Sequence, residues 1–356
     1  MEDDPTGTLV VCWHGGRLIG GGADGKVRVW DVEGGRKLSE VEGHGGRYVS
    51  SMWVFGDQVV TGGVDGQVVV WIVDGGGRLE AHRKFDAVAK ARNGAGKTHG
   101  VTAVCGHGGR VYAGVAGEGE GDGNDVQVWD VEGSKYVNRM AGHRSWVTGM
   151  AMVMEGTFLA TVSHDCTIRI WSIENGAATF FSPSNRTPGQ APGDATGLLG
   201  VAVLPGWESG ESGGLKGKTK RRRQGMVTIS AGGKVDLWEV STGTGTMEVK
   251  HVEAGQHAEG ELESGSVSVL GGMGSDGEGR CRVASAGHEG RVKIWGVGEE
   301  GGWTELESLD VAAGRYPIEG CSGNVSDGRL ALGLGEREEG GKVEASMRVL
   351  GAATGA

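Results

Sequence analysis

The sequence is poor in proline and in long apolar runs, and each shortage removes one class of protein. Only six prolines occur among 356 residues and the glycines show no three-residue period, which excludes a collagen-like chain. No apolar stretch approaches the roughly 18 residues of a membrane span, so we expect no membrane association. The acidic residues 1–5 have no apolar core, so we also expect no secretory signal peptide.

Cysteine and positive charge are scarce as well. The five cysteines are odd in number, widely separated and form no C-x-x-C pair, which is typical of buried thiols in a reducing compartment. We therefore expect a cytoplasmic location, a nuclear location or both. The net charge of −11 argues against a dedicated nucleic-acid binder, because neutralising phosphates requires a basic surface.

Glycine and tryptophan, by contrast, are abundant and recur in a pattern. The 73 glycines separate short apolar runs and predict many tight turns. Tryptophan outnumbers phenylalanine and tyrosine together, 11 against 5 and 4. Six segments alternate apolar and polar residues as a half-buried strand does, and they share a tryptophan: Trp30, Trp71, Trp129, Trp171, Trp238 and Trp295. A seventh copy, residues 345–352, has Leu350 in that place.

The spacing of these segments indicates a repeat. The tryptophans are 41, 58, 42, 67 and 57 residues apart, so the shorter intervals match one four-stranded propeller blade and the longer ones carry insertions. Four of them have an acid six residues earlier: Asp24, Asp65, Asp165 and Glu289. Two are also preceded by a Gly-His pair, at residues 43–44 and 142–143.

This order of Gly-His, hydroxyl, acid and tryptophan resembles the WD-repeat family over nearly the whole chain. The resemblance implies an all-β, seven-bladed WD-repeat β-propeller in which the four side chains form a hydrogen-bonded chain within a blade. Carried over, the second blade would use His44, Thr61, Asp65 and Trp71, the fourth His143, Thr161, Asp165 and Trp171, and the sixth His257, Ser285, Glu289 and Trp295.

Three blades depart from this pattern. The first has Gly20 where the hydroxyl belongs, the third has an insertion in place of its turn, and the fifth has Gly232 in place of the acid. We expect these blades to be held mainly by packing, and Asp24→Ala to cost less stability than Asp165→Ala. The whole chain, residues 1–356, is predicted to form one propeller, with blades over residues 7–42, 43–88, 97–141, 142–185, 194–255, 256–313 and 314–356.

The His and Asp residues invite comparison with a hydrolase, but a structural role explains them better. A catalytic site would occur once, whereas this set recurs in several blades and ends in tryptophan. Its physical use is to satisfy buried polar groups, which destabilise a protein when unpaired. The sequence therefore predicts no catalytic residues, no cofactor, no metal site and no small-molecule substrate.

Two aromatic residues stand where an inner strand begins, next to basic residues. Tyr48 and Trp146 each precede the first apolar residue of a strand, and in the WD-repeat family such residues face outward on the top surface. Arg47, Arg144 and His164 fall near the same rim, and aromatic residues with arginine are typical of interface hot spots. The alternative is that the two aromatics merely cover the blade edge.

One insertion is strongly basic. Residues 205–225 are predicted to form a loop in the fifth blade that holds Lys216, Lys218, Lys220, Arg221, Arg222 and Arg223. A nuclear-import signal is one interpretation, and a solvated loop is the other.

These features predict a non-enzymatic scaffold or adaptor that binds proteins or peptides. The alternative is a substrate receptor of a ubiquitin ligase. Against that alternative, no F-box-like helical segment precedes residue 7, and Val-Glu follows both Trp-Asp pairs (30–31 and 129–130), where cullin-linked receptors have Trp-Asp-x-Arg.

The last blade is predicted to lack a full outer strand. Its third strand falls at residues 347–351, and residues 1–7 hold three acids, a proline and a glycine, which form a poor strand. We expect an open edge there that a strand donor completes, unless the sequence is a piece of a longer protein.

Overall fold

The short alternating stretches form strands. The computed structural model describes residues 8–87, 98–117, 124–183, 197–205, 222–242, 247–258, 262–271, 280–298, 302–311, 318–334, 337–339, 342–344 and 347–350. Within these ranges every regular element is a β-strand, so the all-β prediction is confirmed.

The first three sheets each have four antiparallel strands in chain order. Sheet one comprises β1 Thr8–His14, β2 Arg17–Gly22, β3 Lys26–Asp31 and β4 Arg36–Glu42. Sheet two comprises β5 Val49–Phe55, β6 Gln58–Gly63, β7 Gln67–Val73 and β8 Leu79–Asp86. Sheet three comprises β9 Thr98–His107, β10 Arg110–Gly117, β11 Val126–Asp130 and β12 Lys135–Met140.

The next three sheets repeat the same order. Sheet four comprises β13 Val147–Val153, β14 Phe158–Ser163, β15 Thr167–Ser172 and β16 Ala178–Pro183. Sheet five comprises β17 Leu198–Val203, β18 Arg222–Ser230, β19 Lys234–Thr242 and β20 Met247–Gln256. Sheet six comprises β21 Gly265–Gly271, β22 Cys281–Gly287, β23 Arg291–Val297 and β24 Trp303–Asp310.

The seventh sheet has three strands in the described part of the chain. They are β25 Ile318–Gly323, β26 Leu330–Leu334 and β29 Met347–Leu350, and a hairpin of β27 Arg337–Glu339 and β28 Lys342–Glu344 lies between the last two. Leu350 pairs with Leu330 as Trp71 pairs with Val59, so it occupies the tryptophan position of the repeat. The seven sheets are the blades of one propeller.

The core lies between neighbouring blades. The buried cluster around Trp71, for example, joins Ile19 and Val29 of the first blade to Val49 and Met52 of the second. Each repeat tryptophan from Trp30 to Trp295 is at most 6% exposed, and an aromatic side chain of this size removes roughly 200 Å² from water. The repeat therefore stabilises contacts between blades as well as the blade that carries it.

Hydroxyl groups near the start of the inner strands also tie successive blades together. Thr102 Oγ1 donates to the carbonyl of Val147 at 2.7 Å, and Thr148 Oγ1 donates to the carbonyl of Leu198 at 2.6 Å. The inner strands surround a channel of about 570 Å³. Because the links run from one blade to the next, they hold neighbouring inner strands in register around this channel.

The ring closes by packing of the seventh blade on the first. Trp13 Nε1 donates to the carbonyl of Ser322 at 3.0 Å, and the Arg329 guanidinium lies 5.0 Å from the Trp13 ring centre. Val11 and Leu18 pack with Ala331 in one buried cluster. The prediction that residues 1–7 cannot supply an outer strand falls outside the described residues.

The predicted basic loop is shorter than its sequence suggested. Strand β18 begins at Arg222, not after residue 225, and Arg222 to Gly225 pair with β19. The Gln224 side chain accepts a hydrogen bond from the Met154 amide at 2.5 Å, and Arg223 lies 3.6 Å from Glu239. These contacts draw the end of the insertion into the sheet, which corrects the loop interval 205–225.

Candidate functional site

The four predicted side chains of the second blade are in contact. Trp71 Nε1 donates to Thr61 Oγ1 at 2.9 Å, and Thr61 Oγ1 lies 2.8 Å from His44 Nε2. His44 Nδ1 lies 3.0 Å from Asp65 Oδ1. The histidine reaches this position because the amides of Gly43 and His44 bond to the Gly25 carbonyl in the turn of the preceding blade.

The direction of this chain follows from what each atom can donate. A carboxylate only accepts, so Nδ1 of His44 donates to Asp65, and Nε2 of the neutral ring accepts the Thr61 hydroxyl proton. The hydroxyl oxygen in turn accepts from Trp71. Each group is satisfied, and Thr61 and His44 are fully buried, so no substrate could reach the hydroxyl from solvent. The arrangement suits a structural role.

The fourth blade has the same chain with additional bonds to its acid. Trp171 Nε1 to Thr161 Oγ1 is 2.8 Å, and Thr161 Oγ1 to His143 Nε2 is 2.7 Å. Asp165 lies 3.1 Å from His143 Nδ1 and also accepts from the Arg144 amide at 2.7 Å and from the Thr167 amide and hydroxyl at 3.0 and 2.5 Å. Its carboxylate therefore fixes both flanking loops.

These bonds decide the protonation of Asp165. Burial alone would raise the pKa of its carboxyl group, but the hydrogen bonds from His143, Thr167 and the Arg144 amide outweigh burial. The pKa of Asp165 is therefore held well below its ordinary value. The ionised form of Asp165 is therefore the favoured one in the folded blade near neutral pH.

The sixth blade brings the same four groups together with the imidazole ring turned over, but the contact of its acid with the ring lacks the geometry of a hydrogen bond. Here Nδ1 of His257 lies 2.7 Å from Ser285 Oγ, and Nε2 lies 2.9 Å from Glu289. Trp295 Nε1 donates to Ser285 at 2.8 Å. The longer glutamate side chain meets the far nitrogen of the ring, so the degenerate sequence still brings all four groups together.

The first blade is not held by packing alone, which corrects the expectation for it. Arg28, 2% exposed, pairs with Asp24 at 3.0 and 2.5 Å and with Glu40 at 3.0 Å. Lys26 and Lys37 also contact Glu40, and these bonds hold the pKa of that carboxyl group at about 2. A buried charge network thus replaces the tryptophan-linked chain.

Sequence reasoning missed Arg28 because it followed only the positions of the family pattern. Arg28 pairs with Gly20 across the two strands, and the space beside Gly20 is filled by the Thr8 methyl group and the Trp30 ring. An arginine flanked by acids four residues before and twelve after it was the available signal. In an inward-facing strand position, a cation with two acids in reach predicts a buried ion cluster.

The fifth and third blades differ from one another. In the fifth, Trp238 Nε1 donates to Thr228 Oγ1 at 3.0 Å, so half of the chain survives despite Gly232, and Asp236 pairs with His251 at 2.9 Å. In the third, Trp129 packs between the Phe85 and Tyr136 rings at 5.7 and 6.1 Å. Packing dominates only in the third blade.

The top face of the propeller holds the starts of the inner strands and the turns between the second and third strands of each blade. All five predicted rim residues lie on this face. Arg47, Arg144 and His164 are exposed, Tyr48 is 54% exposed and Trp146 is 44% exposed. The carbonyls of Tyr48 and Trp146 accept equivalent bonds, from Val64 at 3.1 Å and His164 at 3.0 Å. The two aromatics therefore occupy the same position in blades two and four.

The residues of the predicted import signal are only partly described. Lys216, Lys218, Lys220 and Arg221 lie outside the described residues. Arg222 is exposed and lies 3.5 Å from Glu155, whereas Arg223 is partly buried beside Glu239. The side chain of Arg223 is therefore less accessible to solvent than that of Arg222.

The described residues contain neither a cluster of metal-binding side chains nor a membrane-spanning helix. No group of three or more His, Cys, Asp or Glu residues there is arranged to hold a metal ion. No helix in the same residues is long and apolar enough to cross a membrane.

Comparisons with known proteins agree with this geometry. The family model described as "WD domain, G-beta repeat" matches residues 35–71 and 134–172. Each match starts at an outer strand, β4 or β12, and ends in the third strand of the next sheet. The sequence repeat is therefore offset by one strand from the blade, so each repeat links two neighbouring blades.

Curated relatives match parts of the chain. The DENN domain and WD repeat-containing protein SCD1 of Arabidopsis thaliana is 28% identical over 48% of this chain and 15% of its own length. Striatin-4 of Mus musculus is 37% identical over 15% of the chain and 7% of its own length. The guanine nucleotide-binding protein subunit beta of Schizosaccharomyces pombe is 39% identical over 13% of the chain and 15% of its own length. The chain thus spans a small part of each relative.

The seven sheets and the hydrogen bonds from the repeat tryptophans define the class of the protein. It is a seven-bladed β-propeller with tryptophan-linked hydrogen-bond chains. The repeats that build it match the WD family model. The chain therefore contains WD repeats arranged as a seven-bladed β-propeller.

Proposed function

We propose that this protein is a non-enzymatic scaffold or adaptor that presents its top rim to protein or peptide partners. The observation that carries this proposal is the exposure of Tyr48 and Trp146, 54% and 44%, at equivalent positions of two blades. Solvent exposure of large aromatics is unfavourable unless a partner covers them, and such residues beside arginine dominate many interfaces. Arg47, Arg144 and His164 supply the polar contacts around them.

The relatives support this role. One is named as a subunit of a larger protein, and another combines WD repeats with a DENN domain. The rigid sheets hold the rim loops in fixed relative positions, so binding would require little reordering of the scaffold.

Affinity purification from the native cell with Trp146→Ala and Tyr48→Ala tests the proposal. Both variants should unfold at the wild-type urea concentration yet lose proteins that co-purify with the wild type. Leu306→Ala is the matched control, because Leu306 is also exposed, 39%, but lies on outer strand β24 away from the rim. If both rim variants retain the full partner set, the rim does not bind partners.

The same purification separates the alternative function. A substrate receptor of a ubiquitin ligase would use the rim for its substrates and would also co-purify with ligase subunits. Their presence with the wild-type protein would favour the receptor, and their absence would favour the scaffold.

We propose nuclear import through the basic insertion as a separate property of the scaffold. In a fluorescent fusion, changing Lys216, Lys218, Lys220 and Arg221 to alanine should shift the protein to the cytoplasm. Changing Arg223, which is partly buried beside Glu239, should have the smaller effect. An unchanged distribution in the first variant would leave only the solvated-loop interpretation.

The outer edge of the seventh blade is proposed as the place where a strand donor binds. The third strands of the other six sheets are largely buried, whereas Met347, Val349 and Leu350 of β29 are only partly buried in the described structure. An added strand would cover them and pair their backbone groups. Fast amide hydrogen exchange across residues 347–350 that a partner slows would support this role, and slow exchange in the isolated chain would contradict it.

A further inference from the structure

The blades differ most in the side chains that they carry on the top face. The position of Tyr48, near the start of the inner strand, holds Tyr48, Gly100, Trp146, Gly197 and Ser264 in blades two to six. The first residue of the turn between second and third strands is Ala23, Val64, His164, Ala231 and His288 in blades one, two, four, five and six. Among blades two, four, five and six, where the structure describes both positions, only blade four has a large exposed side chain at each of them.

A third position follows the same trend. The turn residue that adopts a positive φ is Gly25, Gly66, Gly233 and Gly290 in blades one, two, five and six. In blade four it is Cys166, with φ of 65°. A side chain in this conformation costs roughly 1 kcal/mol or more, and such outliers gather at functional sites. With Arg144 from the loop between blades three and four, four side chains of blade four lie together on the top face, and glycine stands at the position of Cys166 in blades one, two, five and six.

The backbone beneath these side chains is firmly held. The Arg144 amide donates to Asp165, and its carbonyl accepts from Asn124 at 3.4 Å. The Ser163 hydroxyl donates to the Ser145 carbonyl at 3.0 Å. A Cβ atom added at Gly197 would lie 2.8 Å from His164 Nδ1, so the imidazole packs on the glycine of the next blade. The projecting groups are therefore preorganised.

The charge of this surface differs from that of the whole molecule. The net charge of the chain is −11, yet the exposed polar groups here are the Arg144 guanidinium and the His164 imidazole. Within the described turn of blade four the one acid is Asp165, whose side chain is 6% exposed and whose two oxygens are occupied by four hydrogen bonds. A carboxylate of a ligand would thus be repelled by the net charge of the chain and attracted by the Arg144 guanidinium.

We propose that the top of blade four, formed by Arg144, Trp146, His164 and Cys166, is a docking site for an acidic peptide segment with an aromatic or aliphatic anchor. Trp146 receives the apolar anchor, and Arg144 and His164 receive carboxylates before and after it. Arg144 and His164 come from different loops, so their donor groups suit carboxylates spread along a peptide more than one phosphate group. The inference rests on the proposed rim function and adds the partner's chemistry and location.

The test uses a random-peptide phage library selected on the immobilised full chain. We expect the enriched peptides to be acidic and to contain an aromatic or aliphatic residue. A fluorescein-labelled enriched peptide should lose at least tenfold in affinity on Trp146→Ala and on Arg144→Glu, and should weaken at higher salt. The matched controls His288→Ala and Leu306→Ala should bind as the wild type does. A serine-phosphorylated version of the peptide should not bind more tightly than its glutamate version.

The outcomes separate this inference from the rim function. Enrichment of basic or neutral peptides, tighter binding of the phosphorylated version, no enrichment, or equal binding by Trp146→Ala would overturn the acidic-peptide site. If the peptides depend on Tyr48 and not on Trp146, the rim function stands and the blade-four site falls. If neither aromatic matters, both fall. Unchanged urea unfolding of the variants shows that binding, not folding, was altered.

Discussion

The charge network of the first blade predicts an order of mutant stabilities opposite to the one expected from the sequence. Asp24 belongs to a blade without the hydroxyl and the histidine, so its loss was expected to matter less than that of Asp165. In the structure, however, Asp24 is the main counter-charge of Arg28, whose side chain is 2% exposed. Asp24→Ala would remove this counter-charge from the buried guanidinium, while Glu40 stays beside it.

The magnitude follows from the contacts that disappear. Removing one partner of a buried ion pair costs about 3–5 kcal/mol when the remaining charge is uncompensated. Glu40 stays 3.0 Å from Arg28 Nε, and the Asp24 side chain is 25% exposed, so water can enter its place. We therefore expect about 3 kcal/mol for Asp24→Ala, against about 2 kcal/mol for the hydrogen-bonded Asp165→Ala.

A double-mutant cycle isolates the buried charge as the cause. Arg28→Met fills a similar volume without charge, and replacing a buried ion by an apolar residue is often nearly neutral. Asp24→Ala with Arg28→Met should therefore be more stable than Asp24→Ala alone. Urea unfolding followed by tryptophan fluorescence gives the free energies, and hydrogen exchange of β2 and β3 locates the loss.

The control is Glu80→Ala, an exposed acid on outer strand β8, which should change stability by less than about 0.5 kcal/mol. If the double variant is as unstable as the sum of the two single variants, Arg28 and Asp24 do not interact as described. If Asp24→Ala is milder than Asp165→Ala, the expectation from the sequence was the better one.

Three further predictions concern the turns of blades two and four. Asp65→Ala should cost less than Asp165→Ala in urea unfolding, because Asp65 accepts two bonds, from His44 and the Gln67 amide, and Asp165 accepts four. The pKa of Asp165 in the folded protein is lowered from 3.8. Its contribution to the free energy of unfolding is therefore complete above about pH 4 and declines as the pH falls further, so the stability difference between wild type and Asp165→Asn should shrink from pH 7 to pH 3. Cys166→Gly should raise the free energy of unfolding by a few tenths to about 1 kcal/mol. The matched variant Gly66→Ala, at a residue with φ of 79°, should lower it by about 1 kcal/mol. If both variants change stability in the same direction, the backbone at Cys166 is not strained.

The fold could be predicted from the sequence because its signal is repeated. Six tryptophans with the same flanking alternation define the third strand of each blade, and Leu350 falls in register with them. Each strand needs only period-2 alternation and a glycine-rich turn, and both are local features. Where a local feature is absent, as at Arg222 and Arg223, the sequence predicted a loop and the structure continues the strand, because the contacts of Gln224 and Arg223 come from elsewhere in the fold.

The candidate functional sites were harder to predict, because contacts from elsewhere in the fold bring their residues together. The tryptophan-linked chains could be located because their members keep fixed separations, whereas Arg28 depends on an acid from a different strand, Glu40, that no repeat position marks. The exposure of Tyr48 and Trp146 could be inferred from their position. The turns beside them differ, because the equivalent residue is Val64 in blade two and His164 in blade four, whereas each packs against a glycine of the next blade, Gly100 or Gly197. A repeat sequence thus specifies what the blades share, and substitutions at a few turn positions make one blade distinct.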